Sequence, residues 1–240
     1  MNTKEHYDLH LYKYYSWIYG GFKNKIEENL KFFKEQKIEP RDSKIVIDLG
    51  AGSGFQSIPL AMLGFNVKAI DFSRKLLAEL KENSRGFDIK IIESDIMNFD
   101  YYSGFNPELI VCMGDTLTHL EDLNQVKNLI TNSASLLNHN GKLILNFRDL
   151  SIELKDENRF IPVKSNNEKI FTCFLEYFPG HIKVHDIVNE KANGKWEQKI
   201  SSYNKIKISE KTIRSIITEN NLEIDFFDIK NGLLTLICVK

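Results

Sequence analysis

The stretch KIVIDLGAGSGFQSIPLAMLGFNVKAIDFS, residues 44–73, sets glycines at 50, 52 and 54 just after one apolar run and an acid, Asp71, at the end of the next. A glycine-rich turn between a strand and a helix lets the backbone come close to a ligand and aims free helix N–H groups at it. A carboxylate ending the following strand can accept hydrogen bonds from both hydroxyls of a ribose. Farther on, IKIIESDIMNF closes a third apolar run with Ser94, Asp95 and Ile96. There a carboxylate can accept from an adenine amino group while the isoleucine packs on the ring. These residues point to a nucleoside-like cofactor. The spacing G-x-G-x-x-G would need glycine at 55, where the chain has Phe55, which weakens a dinucleotide reading, and no Lys-Ser/Thr pair follows as in a P-loop. A ligand-free glycine turn and Asp95 as a helix cap are the plainer alternatives.

The elements that must position these residues alternate. Strands are expected at 44–49, 66–71, 88–94, 107–113 and 141–148, with helices near 54–64, 73–84 and 121–138. Short β-rich runs separated by helix-length stretches imply right-handed crossovers and a parallel sheet. Ser73 reads as an N-cap and the NHNG after Leu137 as a helix ending. From 151 to 207 the pattern changes. KIFTCFLEYF, HIKVHDIVNEKA and KWEQKISSYNKIKI are β-rich runs parted by the turn signals PG and NG, so an inserted antiparallel β layer is expected. A helix at 209–220 capped by Ser209 and a hairpin of 222–229 and 233–239 around Asn231-Gly232 then return to the main sheet. The fold class is therefore α/β: a Rossmann-like, doubly wound sheet with an added β layer.

Composition narrows the partners. With 32 basic and 33 acidic residues the net charge is -1, so the chain carries no global electrostatic footprint for nucleic acid or an anionic membrane. No apolar run reaches the roughly 18 residues of a spanning helix, and the first residues lack a signal-peptide core. The expectation is a soluble, cytoplasmic monomer or homodimer without nucleic-acid or membrane partners. Cys112, Cys173 and Cys238 are odd in number, far apart and set in strand-like contexts, which suits buried reduced thiols; no metal site is expected.

In order and spacing, VIDLGAGSGF, the acid in VKAIDFS, ESDIMNF and PELIVCMGDTLTHL resemble the cofactor motifs of class I S-adenosylmethionine-dependent methyltransferases. The resemblance covers about 40–150 and the final hairpin. It implies a seven-stranded sheet with a C-terminal β-hairpin, a core of 41–150 and 208–240, an N-terminal helical lid over 1–40 and a substrate-covering insertion over 151–207. It also implies S-adenosylmethionine as cofactor. Gly50, Ala51, Gly52 and Gly54 would surround its methionine part, Asp48 would steady the loop, and the Met113-Gly114 backbone would meet the methionine end. Asp71 and Phe72 would sit at the ribose, and Asp95 and Ile96 at the adenine.

Methyl transfer from a sulfonium is an in-line displacement that needs alignment and exclusion of water more than a nucleophilic residue. Ligands in such sheets bind beyond the carboxyl ends of the strands, which brings forward Asp115, His119 and Arg148. His119 reads as a general base or as a helix-start histidine bonding backbone; Asp115 as an amine-orienting acid or a cap; Arg148 as a clamp for an anion or part of a structural network with Asp149. Tyr14, Tyr15 and Tyr19 are the expected lid aromatics, or else an ordinary packing face, and Tyr177 and His185 the expected acceptor contacts from the insertion. GDTL at 114–117 departs from the N/D-P-P-Y/F signature of enzymes that methylate nitrogens in nucleic acids and proteins, which favours a small-molecule N or O acceptor. A nicotinamide-dependent oxidoreductase and a non-catalytic binding module are the rival readings.

Overall fold

The computed structural model describes residues 3–240, so the first two positions of the expected lid lie outside the described residues. The chain opens with a helix in three pieces: α1 (Thr3–His6), a π-helical turn (Tyr7–Leu11) and α2 (Tyr12–Ile18). Gly20 and Gly21 end it, and α3 (Phe22–Glu35) follows. Five parallel strands come next: β1 (Ile45–Leu49), β2 (Asn66–Asp71), β3 (Ile89–Glu93), β4 (Leu109–Cys112) and β5 (Lys142–Arg148). The helices α4 (Ser57–Met62), α5 (Arg74–Asn83) and α6 (Leu123–Leu136) lie between them.

Both faces of this sheet are covered, which is why its central strands read as continuous apolar runs. Ile26 and Phe33 of α3, Ile58 and Leu60 of α4 and Leu77 and Leu80 of α5 pack one face. Val126, Leu129 and Ile130 of α6 pack the other with Ile213, Ile216 and Ile217 of α7 (Glu210–Glu219). Each such side chain contributes roughly 1.5–3 kcal/mol when fully buried. The hairpin of β10 (Glu223–Lys230) and β11 (Leu233–Val239) completes the sheet in the order β10-β11-β5-β4-β1-β2-β3, with β11 antiparallel to β5. The expected caps are present: Ser73 accepts from the Leu76 N–H and Ser209 from the Thr212 N–H. Two boundaries shift. The helix expected over 54–64 is only the six residues of α4, because the glycine loop occupies its first turn, and α6 starts at Leu123 because Asp122 caps it through the Gln125 N–H.

The second sheet is antiparallel, in the order β6-β7-β8-β9: β6 (Phe160–Ser165), β7 (Lys169–Tyr177), β8 (His181–Ala192) and β9 (Lys195–Ile206). Asn193 and Gly194 both take positive φ, as a type I′ hairpin requires. β6 went unforeseen in the sequence because Pro162 cannot donate to a ladder and is tolerated only on an edge strand, which β6 is. Ile182, Val184, Asp186 and Val188 of β8 face inward, toward the first sheet and the N-terminal helix, and are buried; His181, Lys183, His185 and Ile187 alternate to the other face and are half-buried. Cys112 and Cys238 are buried and Cys173 half-buried, all as free thiols.

Gly54 belongs to packing. At φ +97° an added Cβ would sit 2.3 Å from Leu80 Cδ1. Gly54→Ala is expected to destabilise by about 1–3 kcal/mol from overpacking in addition to backbone strain. Gly86→Ala, at φ +91° with nothing within 4 Å, is expected to lose only the strain of about 1–2 kcal/mol. Urea midpoints of the two variants check this ordering.

Candidate active site

At the carboxyl edge of β1 to β4 lies a cavity of about 520 Å³. Gly50 and Gly52 from the loop after β1, Asp71 and Phe72 from the end of β2, Asp95 and Ile96 after β3, and Gly114 after β4 all line it. Four loops separate in sequence therefore meet at one site. Asp48, Ala51, Gly54 and Met113, expected beside them, are not in the wall. Asp48 is buried beneath the loop and accepts from Ser57 Oγ at 2.5 Å; Ala51 and Met113 belong to the apolar core. Burial pushes the Asp48 carboxyl up to about 7, against the lowering effect of Ser57, and among the described residues its Oδ1 has no hydrogen-bond partner.

Asp71 ties the site together. Its Oδ2 accepts from the Gly52 N–H at 2.9 Å and its Oδ1 from the Ser73 N–H at 2.7 Å. Each oxygen keeps a further lone pair toward the cavity. Burial raises its pKa to about 6, less the stabilisation from those two backbone donors.

The N-terminal helix closes the cavity with Thr3, Lys4, Tyr7 and Tyr15. Tyr15 stacks on Phe55 at 5.3 Å, and Tyr19 meets both rings edge-on. Tyr14 points the other way. It packs on Phe171 and Val188 and donates to Glu190 at 3.0 Å, so among the three nominated tyrosines it alone is carried by the second sheet. Tyr7, which was not among the nominated tyrosines, lies at the cavity instead: its hydroxyl is 3.1 Å from His119 Nε2, and both residues line the wall.

Burial, then the Lys205 charge, drives the His119 pKa down to about 3, so the ring is neutral at physiological pH and acts as a hydrogen-bonding group more readily than as a base. Asp115, at φ +76°, is held by three groups: the Arg148 N–H at 2.9 Å, Thr118 Oγ1 at 3.2 Å and the Lys205 ammonium. Burial, the largest single influence, would raise its pKa, but the Lys205 charge and hydrogen bond together with the Arg148 N–H outweigh it and the carboxyl lies below its ordinary value. The Arg148 side chain is exposed and donates to the Asn231 carbonyl, while Asp149 accepts from Ser151 and Glu210. The structure therefore does not bring Arg148 and Asp149 together as one network. Tyr177 lies on the inner face of the second sheet beside Leu150, with Lys207 over its ring. His185 is on the outer face, where its ring meets Glu176 at 2.5 Å, and is not brought to the site.

Behind the cavity, where the N-terminal helix meets the second sheet, lie His6, Asp186, Tyr203 and Lys205, which the sequence did not single out for the site, together with Cys173. The His6 and Tyr203 rings lie 4.1 Å apart, and Tyr203 stacks on His119 at 5.4 Å. The signal that could have found three of them is the period of two in the β8 and β9 runs.

Residues 46–141 match a family described as a methyltransferase domain. A glycine/sarcosine N-methyltransferase of Aphanothece halophytica is 28% identical over 121 residues, which is 50% of this chain and 46% of that protein. A mouse glycine N-methyltransferase is 32% identical over 117 residues, 43% of this chain and 40% of that one. The chain thus spans less than half the length of these curated relatives. Among solved structures, an amino pentose methyltransferase from Micromonospora echinaspora with SAM bound superposes with a TM-score of 0.77 at 11% identity, covering 96% of this chain and 97% of that one. An S-adenosylmethionine-dependent methyltransferase from Clostridium acetobutylicum gives 0.72 at 16%, covering 91% of each. Residues 46–141 thus match a methyltransferase domain, and the chain shares the fold of these solved methyltransferases. Among the described residues no helix is long and apolar enough to cross a membrane.

A pH dependence follows from Asp71. Hydroxyl donors bind an ionised carboxylate best, so with a ribose at Asp71 nucleoside affinity is expected to be full above about pH 6 and to fall as pH drops through that value. Titration calorimetry with S-adenosylhomocysteine at pH 5 and 7.5 is expected to show at least a several-fold weakening at the lower pH. Asp71→Asn, which cannot ionise, should bind more weakly at pH 7.5 and show little of that dependence.

Proposed function

We propose that this chain transfers a methyl group from S-adenosylmethionine to a nitrogen of a small molecule. The observation that carries the reading is the convergence of the glycine loop, Asp71, Asp95 and Gly114 on one cavity, from four successive strand ends. Asp71 is assigned to the ribose hydroxyls, Asp95 and Ile96 to the adenine, and the backbone at Gly50, Gly52 and Gly114 to the methionine end. The bound donor supplies an already electrophilic methyl group; the protein supplies alignment and a dry chamber, and orientation alone can contribute roughly 7–11 kcal/mol. In this proposal the helix Thr3–Ile18 is the lid, and the sheet of β6 to β9 covers the acceptor. A nitrogen acceptor is supported by the relatives named as N-methyltransferases acting on glycine and sarcosine, and by the buried carboxylates Asp115 and Asp186 near the tyrosine hydroxyls.

The nicotinamide reading fits less well, because Phe55 stands where a third glycine would be and its ring is buried under Tyr15 and Tyr19. Thermal melts separate the two. S-Adenosylmethionine at about 100 times its Kd should stabilise by roughly 2.7 kcal/mol, and NAD should leave the midpoint unchanged. A shift with NAD alone would overturn the proposal. Gly52 sits at φ +52° in the cavity wall under Tyr15. Gly52→Val should therefore abolish the S-adenosylmethionine shift, and a variant that keeps the full shift would remove the loop from the binding site.

A further inference from the structure

Away from the cofactor cavity, a second cavity of about 210 Å³ lies between the N-terminal helix and the inner face of the second sheet. Burial sorts the groups that line it by depth. Leu11, Tyr14, Phe171 and Val188 are buried and make an apolar floor, with Asp186, 4% exposed, beside them; Lys13 and Lys199 are exposed at the rim.

The two ends of this cavity carry charges without full partners. Among the described residues the Asp186 carboxylate receives one hydrogen bond, from the Cys173 thiol at 3.2 Å, and a thiol is a weak donor. The His6 ring faces it with Nε2 3.1 Å from Oδ2, yet neither ring nitrogen makes a hydrogen bond among the described residues. The neighbouring ammonium groups are engaged elsewhere, Lys205 with Asp115 and Lys199 with Glu190. Buried carboxylates ordinarily hold several hydrogen bonds or a paired charge, so Asp186 has acceptor capacity to spare. At the rim Lys13 pairs with no carboxylate among the described residues; its ammonium lies 5.8 Å from the centre of the Tyr12 ring.

We propose that this cavity is a second small-molecule site, one that takes a zwitterionic amino acid with a short branched apolar side chain. The α-ammonium brings three N–H donors to Asp186 and the Ser201 hydroxyl, which also lines the cavity. The carboxylate lies outward, where the flexible stem of Lys13 lets its ammonium come down to it. A lone amine would leave the rim lysines facing no anion, and a lone carboxylate would leave Asp186 as short of donors as before. Only a ligand with both charges answers both ends. The apolar floor takes the side chain. A cavity of about 150 Å³ holds benzene, so one of about 210 Å³ has room for roughly eight non-hydrogen atoms, the size of valine.

The occupant is not a methyl acceptor, since the stacked His6, Tyr203 and His119 rings stand between it and the cofactor cavity. Its effect is on the helix. The same helix turns Tyr7 and Tyr15 to the cofactor cavity and Leu11, Lys13 and Tyr14 to this one. A molecule held between helix and sheet keeps the helix down over both, so binding at either site tightens the other by the same factor. This coupling to the methyl donor rests on the methyl-transfer reading; the amino-acid site does not.

Calorimetry on the full chain with L-valine is expected to show saturable binding. Isovalerate, which lacks the ammonium, and isobutylammonium chloride, which lacks the carboxylate, should each bind at least tenfold more weakly. Lys13→Glu and Asp186→Asn should each weaken valine at least tenfold. Neither residue lines the cofactor cavity, so valine bound equally by both variants lies elsewhere and overturns the site, as does absence of saturable binding. Should Asp186→Asn fail to give a folded circular dichroism spectrum, Lys13→Glu, at an exposed position, decides alone. S-Adenosylhomocysteine is then titrated with and without saturating valine, and its Kd is expected to fall at least threefold with valine. An unchanged Kd overturns the coupling. Failure of S-adenosylhomocysteine to bind at all, with valine bound as expected, removes the methyl-transfer reading and the coupling while the amino-acid site stands.

Discussion

The Asp71 carboxylate is the constraint on which the cofactor site depends. A loop with positive φ at Gly50, Gly52 and Gly54 has no ladder or helix to define it, yet its backbone must stay fixed for a ligand to approach. Asp71 fixes it from the end of the neighbouring strand by accepting from the Gly52 N–H, and it shapes the start of α5 by accepting from the Ser73 N–H. Two elements separated in sequence are thus referred to one anion. Keeping that anion out of water raises its pKa to about 6, so it is more costly to ionise than an exposed aspartate. Ligand hydroxyls offset that cost, which couples occupancy of the cavity to the charge of its anchor.

A second buried anion joins the two sheets. Asp115 follows Gly114 in the loop after β4, and both residues are left-handed. Lys205 reaches Asp115 from β9 of the added sheet, and Arg148 offers its backbone N–H from β5. Removing the ammonium would leave a carboxylate buried and uncompensated, a loss of roughly 3–5 kcal/mol when one partner of such a pair is deleted. Because Gly114 and Thr116 flank Asp115 and line the cofactor cavity, docking of the second sheet fixes the floor of the site. The inserted layer is thereby part of the geometry that the first sheet needs.

Much of this was legible in the sequence, and the failures have a common physical origin. The glycine loop, Asp71, Asp95 and Ile96 could be read because each is defined by its position relative to the strand just before it, and the order of parallel strands carries that local geometry to one edge. What was misread depended on which way a side chain points. In β8 the sequence HIKVHDIVNE puts Ile182, Val184 and Val188 on one face, and Asp186 shares their parity while His185 does not. A shift of one residue exchanges the two faces of a strand, so His185 was assigned inward and Asp186 overlooked. The N-terminal tyrosines show the helical counterpart. A π-helical turn over Tyr7–Leu11 resets the helix phase, sends Tyr14 to the second sheet and Tyr7 to the cavity, and leaves no compositional mark to announce it.

The same helix is bound to both halves of the molecule by polar contacts as well as by ring packing. Asp8 accepts from Ser73 Oγ and Glu79 from Ser16 Oγ on the cofactor side; Tyr14 donates to Glu190 and His6 faces Asp186 on the side of the second sheet. Its apolar anchorage is a small cluster around Leu11, Tyr14, Phe171 and Val188 with the ring contacts of Tyr15 on Phe55 and Tyr7 on Phe72, less than the packing of the helices that cover the first sheet. Hydrogen bonds exchanged for water contribute only about 0.5–1.5 kcal/mol each, so lifting this helix is cheap beside opening either core. The Ser73 hydroxyl that receives it also caps α5, and the Ser73 N–H binds Asp71. Docking of the helix and fixing of the Asp71 carboxylate therefore meet at a single residue, which ties the helix directly to the cavity that it lines.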